Sequence, residues 1–143
     1  MKSMLLISIA AAGILIIGGL SKAQDGKSMT VQLSGAAEVP GPGDAHGSGT
    51  ATLTLNQDKG EVCYSISVRD LQTPTMAHIH MGAMGKAGGV KVPFEKAADG
   101  SWKGCANVDK ALLTDIMTNP GNYYVNVHTA EFPNGAVRGQ LAR

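Results

Sequence analysis

Short runs of alternating apolar and polar residues constrain the fold of this chain more than any other feature. In the clearest run, Val62, Tyr64, Ile66 and Val68 alternate with smaller or polar residues. Side chains two apart share one face of a strand, so this pattern is typical of a half-buried strand. Similar runs, separated by turns rich in Gly and Pro, predict seven or eight strands in an antiparallel β-sandwich; they cover residues 29–33, 51–55, 76–81, 90–94, 101–108, 123–128 and 136–141.

One segment instead has the spacing of a helix. Asp109 is a suitable N-cap, and an apolar stripe follows it at positions 112, 113, 116 and 117. The residues Asn119-Pro120-Gly121 end the pattern. The sequence therefore predicts an all-β domain that carries one short helix.

The N-terminus has the features of a secretory signal peptide. Lys2 precedes an apolar run over residues 4–20, and Ser21 and Ala23 are small residues placed for cleavage after Ala23. We expect residues 1–23 to be a signal peptide and residues 24–143 a single domain, secreted or periplasmic. A retained N-terminal anchor is the alternative.

The charge balance excludes some kinds of partner. The chain has 12 Lys and Arg against 11 Asp and Glu, and the basic residues form no cluster. Nucleic acids and anionic membranes are bound through basic patches. We therefore expect no nucleic-acid partner and, after signal cleavage, no membrane association. A protein partner and a homodimer stay open.

Cys63 and Cys105 are the only two cysteines. An even number of cysteines in an exported chain favours a disulfide. A metal site with two thiolates, or two separate buried thiols, is the alternative. Cys63 alternates with the apolar row of its strand, so the bridge should lie at the rim or outer face of the sheet.

Histidines in two separate strands are the candidate metal ligands. His78 and His80 are two apart and so point to one side of their strand. His128 shares a face with Asn126 in a second strand, and it completes a three-nitrogen site if the two strands are neighbours. Three imidazoles suit copper or zinc. Alternatively, these histidines only form hydrogen bonds to the backbone.

Methionines near the histidine pair favour copper over zinc. Met76, Met81 and Met84 flank the pair, and soft thioethers select cuprous copper. Filling of the core is their alternative role. This role suits Met81 and Met84 less well, because both flank glycines in a predicted loop, and these two are candidate extra ligands or supporting groups. His46 and Glu131 are further candidates for a fourth ligand or for a group that supports a ligand.

Four segments together resemble the CHRD domain family. They are Glu38-Val39-Pro40, Ala77-His78-Ile79-His80, Tyr124-Val125-Asn126-Val127-His128-Thr129 and Gly135-Ala136-Val137-Arg138-Gly139-Gln140-Leu141. The resemblance covers about residues 30–141. It implies an immunoglobulin-like sandwich that is similar, in its His-x-His strand, to copper/zinc superoxide dismutases. It does not imply an established activity.

Two details qualify the resemblance. The pair Cys63 and Cys105 resembles the pattern of secreted bacterial members. Met81 stands where many members are expected to have an acidic residue, which either favours cuprous copper or is neutral drift. The sequence offers no second cluster of His and Asp for a separate zinc ion.

Arg138 lies near the end of the last predicted strand. Its guanidinium could pair with Glu38 or Glu131 and tie that strand to a loop. We interpret Arg138 and Glu38 as structural residues ahead of a role in ligand binding.

Three functions follow from these observations. The first is an exported metal-binding protein, copper before zinc, for copper storage, delivery or protection. The second is a non-catalytic structural or interaction module without a physiological metal. The third is a dismutase-like copper redox enzyme. The sequence favours a protein that is not an enzyme.

Overall fold

The computed structural model describes residues 26–143, which form eight antiparallel strands. The predicted signal peptide, residues 1–23, lies outside the described residues. The strands are β1 (Lys27–Ser34), β2 (Ser48–Asn56), β3 (Glu61–Arg69), β4 (Pro74–Met81), β5 (Val90–Phe94), β6 (Trp102–Asn107), β7 (Tyr123–Thr129) and β8 (Val137–Gln140). A helix, α1 (Lys110–Thr118), and short 3-10 helices at Gly35–Ala37 and Pro120–Asn122 complete the fold.

The strand order is β5-β4-β7-β8-β1-β2-β3-β6. The two halves of this order meet between β8 and β1, where a single residue pair, Ser34 and Arg138, is in register. Apolar side chains from both halves pack into one core. The hydroxyl of Tyr64 in β3 contacts the backbone of Glu95 just after β5, which draws the two ends of the sheet together. The predicted all-β sandwich with one short helix is confirmed.

Helix α1 begins and packs as its sequence predicts. The side chain of Asp109 accepts hydrogen bonds from the backbone N–H groups of Ala111 and Leu112, which satisfies donors that have no partner within the helix. Leu113 and Ile116 are buried on the apolar side. Each such side chain stabilises the packed helix by about 1.5–3 kcal/mol. None of the helices within residues 26–143 has the length and apolar character required to cross a bilayer.

Cys63 and Cys105 form a disulfide between β3 and β6. They are directly opposite in the register of the two strands. Val62 and Tyr64, the neighbours of Cys63, are buried in the core, whereas Cys105 is exposed. The bridge therefore lies on the outer face of the sheet, as predicted.

Strand β7 is buried on both faces. Val125 and Val127 contribute to the apolar core, whereas Asn126 and His128 point to the opposite face and are nonetheless buried. Chain segments outside the strands cover this second face, and one of them is the loop of residues 82–89, hereafter the glycine loop. A polar layer is thus enclosed between the sheet and its loops.

Candidate metal site

The two histidine-bearing strands are neighbours in the sheet. β4 pairs with β7 in a register that sets Met76 opposite His128, His78 opposite Asn126, and His80 opposite Tyr124. Because alternate residues of a strand share a face, the side chains of these six residues all project from the same face of the sheet. The pairing required for a three-histidine site is therefore present.

The three imidazoles converge. One ring nitrogen from each of His78, His80 and His128 lies within 4.8 Å of the others. Nδ1 of His78 is 3.1 Å from Nε2 of His128. Metal–nitrogen bonds of about 2.0–2.1 Å place two ligands of a tetrahedral ion about 3.3 Å apart. The His78–His128 separation is thus close to that of two ligands on one ion.

Backbone carbonyls orient two of the rings. Nδ1 of His80 donates to the carbonyl oxygen of Gly88 at 2.9 Å, and Nδ1 of His128 donates to the carbonyl oxygen of Pro133 at 2.9 Å. A carbonyl can only accept, so the proton of each ring is on Nδ1 and the lone pair is on Nε2. Metal-bound histidines are held in the same way. In addition, Nε2 of His80 is buried and has no hydrogen-bond partner in the described part of the chain.

The surroundings of His78 and His128 favour the neutral form of these two imidazoles. Burial, together with the neighbouring His128 and His80 rings, lowers the pKa of His78 to about 4. Burial also lowers the pKa of His128. A metal ion binds only the neutral imidazole, so at neutral pH it has no proton to displace from these two rings.

The glycine loop is fastened over the His80 end of the cluster. Arg138, only 2% exposed, donates to the carbonyls of Ala83 and Lys86 at 3.0 and 2.9 Å. Gln140 donates to the carbonyl of Gly82 at 2.7 Å. These bonds hold the loop that supplies the Gly88 carbonyl to His80.

Tyr124 links Arg138 to the histidine cluster. The His80 ring stacks on the Tyr124 ring, with centroids 4.8 Å apart and planes 6° apart. The guanidinium carbon of Arg138 lies 3.4 Å from the centroid of the same ring. This cation–π contact partly compensates for burying a charge that pairs with no carboxylate among the residues described.

The predicted ion pair of Arg138 with Glu38 or Glu131 is wrong. Within residues 26–143, neither carboxylate lies within salt-bridge distance of the guanidinium. The guanidinium instead donates hydrogen bonds to loop carbonyls and packs on the Tyr124 ring. Glu38 is itself buried, and this raises its pKa to about 7 although the charge of Arg138 lowers it. Arg138 thus contacts the glycine loop rather than Glu38 or Glu131, and its structural role stays a prediction.

The other candidate ligands lie outside the three-histidine cluster. His46 is exposed, and its backbone N–H binds the side chain of Asp44. Glu131 is exposed and accepts a hydrogen bond from Gln72 at 2.9 Å. Met84, 79% exposed, lines a cavity of about 360 Å³ with residues that include Ala37.

A second group of potential ligands within the described residues does not suit a metal. It contains Glu61, Cys63 and Cys105. Both sulfur atoms are in the disulfide, and thiolates are the form of cysteine that binds metals.

Sequence reasoning missed Tyr124 and the carbonyls of Gly88 and Pro133. Tyr124 could have been found, since it shares the strand face of Asn126 and His128. A backbone carbonyl leaves no signal in the sequence, because every residue has one.

Fold and site together define a disulfide-bonded, all-β domain with a histidine cluster on one face of its sheet. The family model for the CHRD domain matches residues 29–141, and the chain belongs to the CHRD domain family. Neither a search of curated proteins nor one of solved structures found a match. The disulfide is consistent with folding in an oxidising compartment.

Proposed function

We propose that this protein is an exported, copper-binding CHRD domain for copper storage, delivery or protection. His78, His80 and His128 are its ligands. The observation that carries this proposal is the buried Nε2 of His80, which has a lone pair and, within residues 26–143, no hydrogen-bond partner. Leaving a buried polar atom unpaired costs about 1–3 kcal/mol. A metal ion bound by all three rings would satisfy it.

The donor set supports copper ahead of zinc. Imidazole nitrogens bind both ions, and at a given site Cu²⁺ generally binds more tightly than Zn²⁺. The side chain of Met76, which carries a thioether, projects from the same face of β4 as His78 and His80. Among residues 26–143, no carboxylate joins the cluster, which makes the site softer than a hydrolytic zinc centre with a carboxylate ligand.

Export is supported by two independent features. The disulfide between Cys63 and Cys105 persists in oxidising compartments and is rare in the cytosol. The first 23 residues have the pattern of a signal peptide. Amino-terminal sequencing of the protein from its native compartment tests this part of the proposal, and a chain that still begins at Met1 would contradict cleavage.

Removal of two ligands tests the metal site. We expect one copper ion per chain in the wild-type protein and loss of tight binding in His78→Ala/His80→Ala. Elemental analysis after desalting measures the stoichiometry. His46→Ala is the matched control, since it removes an exposed imidazole outside the cluster. Unchanged copper stoichiometry in the double variant would refute the proposal.

A structural module without metal is the second candidate, because the His78–His128 contact and both carbonyl bonds are formed without an ion. Thermal unfolding separates the two. A ligand that binds only the folded state stabilises it by about 2.7 kcal/mol at a concentration of 100 Kd. A rise in Tm with copper that His78→Ala/His80→Ala abolishes supports the metal site. An unchanged Tm supports the structural module.

A further inference from the structure

We propose that Met76 is the fourth ligand of the site and makes it selective for cuprous copper over zinc. This inference rests on the proposed copper site. The sequence alone favours Met81 and Met84 as thioether ligands. The structure favours Met76 instead.

The register places Met76 beside the histidines. Met76, His78 and His80 alternate along β4 and share one face, and Met76 is directly opposite His128 in β7. Opposite residues of an antiparallel pair have Cβ atoms about 4.5–5.5 Å apart. Met76 therefore adjoins two of the three ligands, His128 across the sheet and His78 along the strand.

The exposed fractions of the side chains along β4 show at which end the site is open to solvent. His80 is 7% exposed under the glycine loop, His78 is half-buried, and Met76 is 46% exposed. An incoming ion therefore meets the Met76 end of the row first. A methionine side chain has three rotatable bonds, so an exposed one can turn towards an ion.

Met81 and Met84 are less well placed. Met81 follows His80 directly in β4, so its side chain projects from the opposite face, which is the face of the core residue Ile79. Met84 lies on the glycine loop and lines the cavity next to Ala37 and Arg138. Of these three methionines, Met76 is therefore the one that lies on the face of β4 that carries His78 and His80.

A thioether changes which metal the site prefers. Methionine sulfur is a soft, neutral donor that suits Cu(I), whereas zinc sites draw on Cys, His and carboxylate ligands. A set of three neutral imidazoles and one thioether adds no charge to the ion. It favours a monovalent ion over a divalent one in this half-buried position.

X-ray absorption of the selenomethionine-labelled protein tests the assignment. Cu(I) is added under anaerobic conditions to the full domain and to Met76→Leu, Met81→Leu and Met84→Leu. Leucine keeps the side-chain volume at an exposed position, so we expect all variants to fold, as circular dichroism can check. The expected result is a copper–selenium shell that Met76→Leu alone removes.

Competition with a Cu(I) chelator gives a second readout. We expect Met76→Leu to weaken Cu(I) binding by about tenfold or more and to leave Zn²⁺ affinity unchanged. A copper shell of light atoms only, or a selenium shell lost in Met81→Leu or Met84→Leu instead, would overturn this inference and leave the three-histidine site standing. Absence of any bound copper in the wild-type protein would overturn both.

Discussion

Nδ1 of His80 donates to the carbonyl oxygen of Gly88 at 2.9 Å. This bond ties the most enclosed ligand of the candidate site to the glycine loop. The N–H of Gly88 donates to the hydroxyl of Tyr124 at 3.2 Å, and Tyr124 in turn stacks on His80. The peptide units flanking Gly88 thus contact both the ring that should bind the metal and the ring that supports it.

Gly88→Ala should weaken metal binding without removing a ligand. A Cβ at Gly88 would overlap the backbone carbonyl of Met81, so the loop must move and its bond to His80 with it. Loss of such a supporting bond typically costs about 10–100-fold in metal affinity. Isothermal titration with copper measures the change. Gly89→Ala is the matched control, since a Cβ there meets nothing within 4 Å. Equal affinities of the two variants would contradict the prediction.

Arg138→Lys should loosen the glycine loop. Arg138 reaches the carbonyls of Ala83 and Lys86 through two different nitrogens and stacks on Tyr124. A lysine cannot make this planar fork. We expect a loss of about 2–4 kcal/mol in the free energy of unfolding, measured by urea denaturation, since hydrogen bonds to charged groups contribute about 1.5–3 kcal/mol each.

Hydrogen exchange locates this effect. Amides of residues 82–89 should exchange faster in Arg138→Lys than in the wild-type protein. Arg143→Lys changes an exposed arginine that donates to the Thr118 carbonyl, and it should leave that exchange unaltered. Loss of stability without faster exchange in the glycine loop would argue against the anchoring role.

Glu38→Gln should stabilise the protein above pH 7. The Glu38 side chain is 5% exposed and lies against Gly43 and Gly135, and burial raises its pKa from 4.5 to about 7. A raised pKa in the folded state gives stability that is present below about pH 4.5 and is lost as the pH rises through about 7. Glutamine carries no charge to bury. We expect it to gain about 1–3 kcal/mol over the wild type at pH 8 and little at pH 4.5.

The difference between the two unfolding curves isolates Glu38. His78, with a pKa lowered to about 4, acts in the opposite direction, because its contribution is present above pH 6.5 and is lost as the pH falls through about 4. His78 is present in both proteins, so its effect largely cancels. Glu95→Gln, at an exposed position, is the control. A stability difference between Glu38→Gln and wild type that does not grow from pH 4.5 to 8 would disprove the prediction.

Removal of the disulfide should destabilise the domain and spare the metal site. Cys63 and Cys105 are 42 residues apart in the chain, and closure of such a loop contributes about 3–4 kcal/mol in the chain-entropy model. We expect Cys63→Ser/Cys105→Ser to lose about this much in urea denaturation. Its copper stoichiometry should match the wild type, since neither β3 nor β6 carries a ligand. Loss of copper from the folded variant would show that the disulfide region belongs to the site.

Much of the fold was predictable because local chemistry decides it. Alternation in β3 placed Val62 and Tyr64 in the core and Cys63 on the outer face, as the structure shows. Asp109 begins α1 because its carboxylate reaches free N–H groups only a few residues away. Patterns of this kind involve neighbours in sequence, and the sequence displays them directly.

Alternation along each strand is enough to predict that His78 and His80 share a face and that His128 shares one with Asn126. The pairing of β4 with β7, in a register that brings the three imidazoles together, arises only when the chain folds. A slip of one residue would turn one strand's side chains to the other face of the sheet. The partners of Arg138 could not be predicted from the sequence for a similar reason. The groups that contact a buried charge depend on which distant segments cover it, and here these are loop carbonyls rather than Glu38.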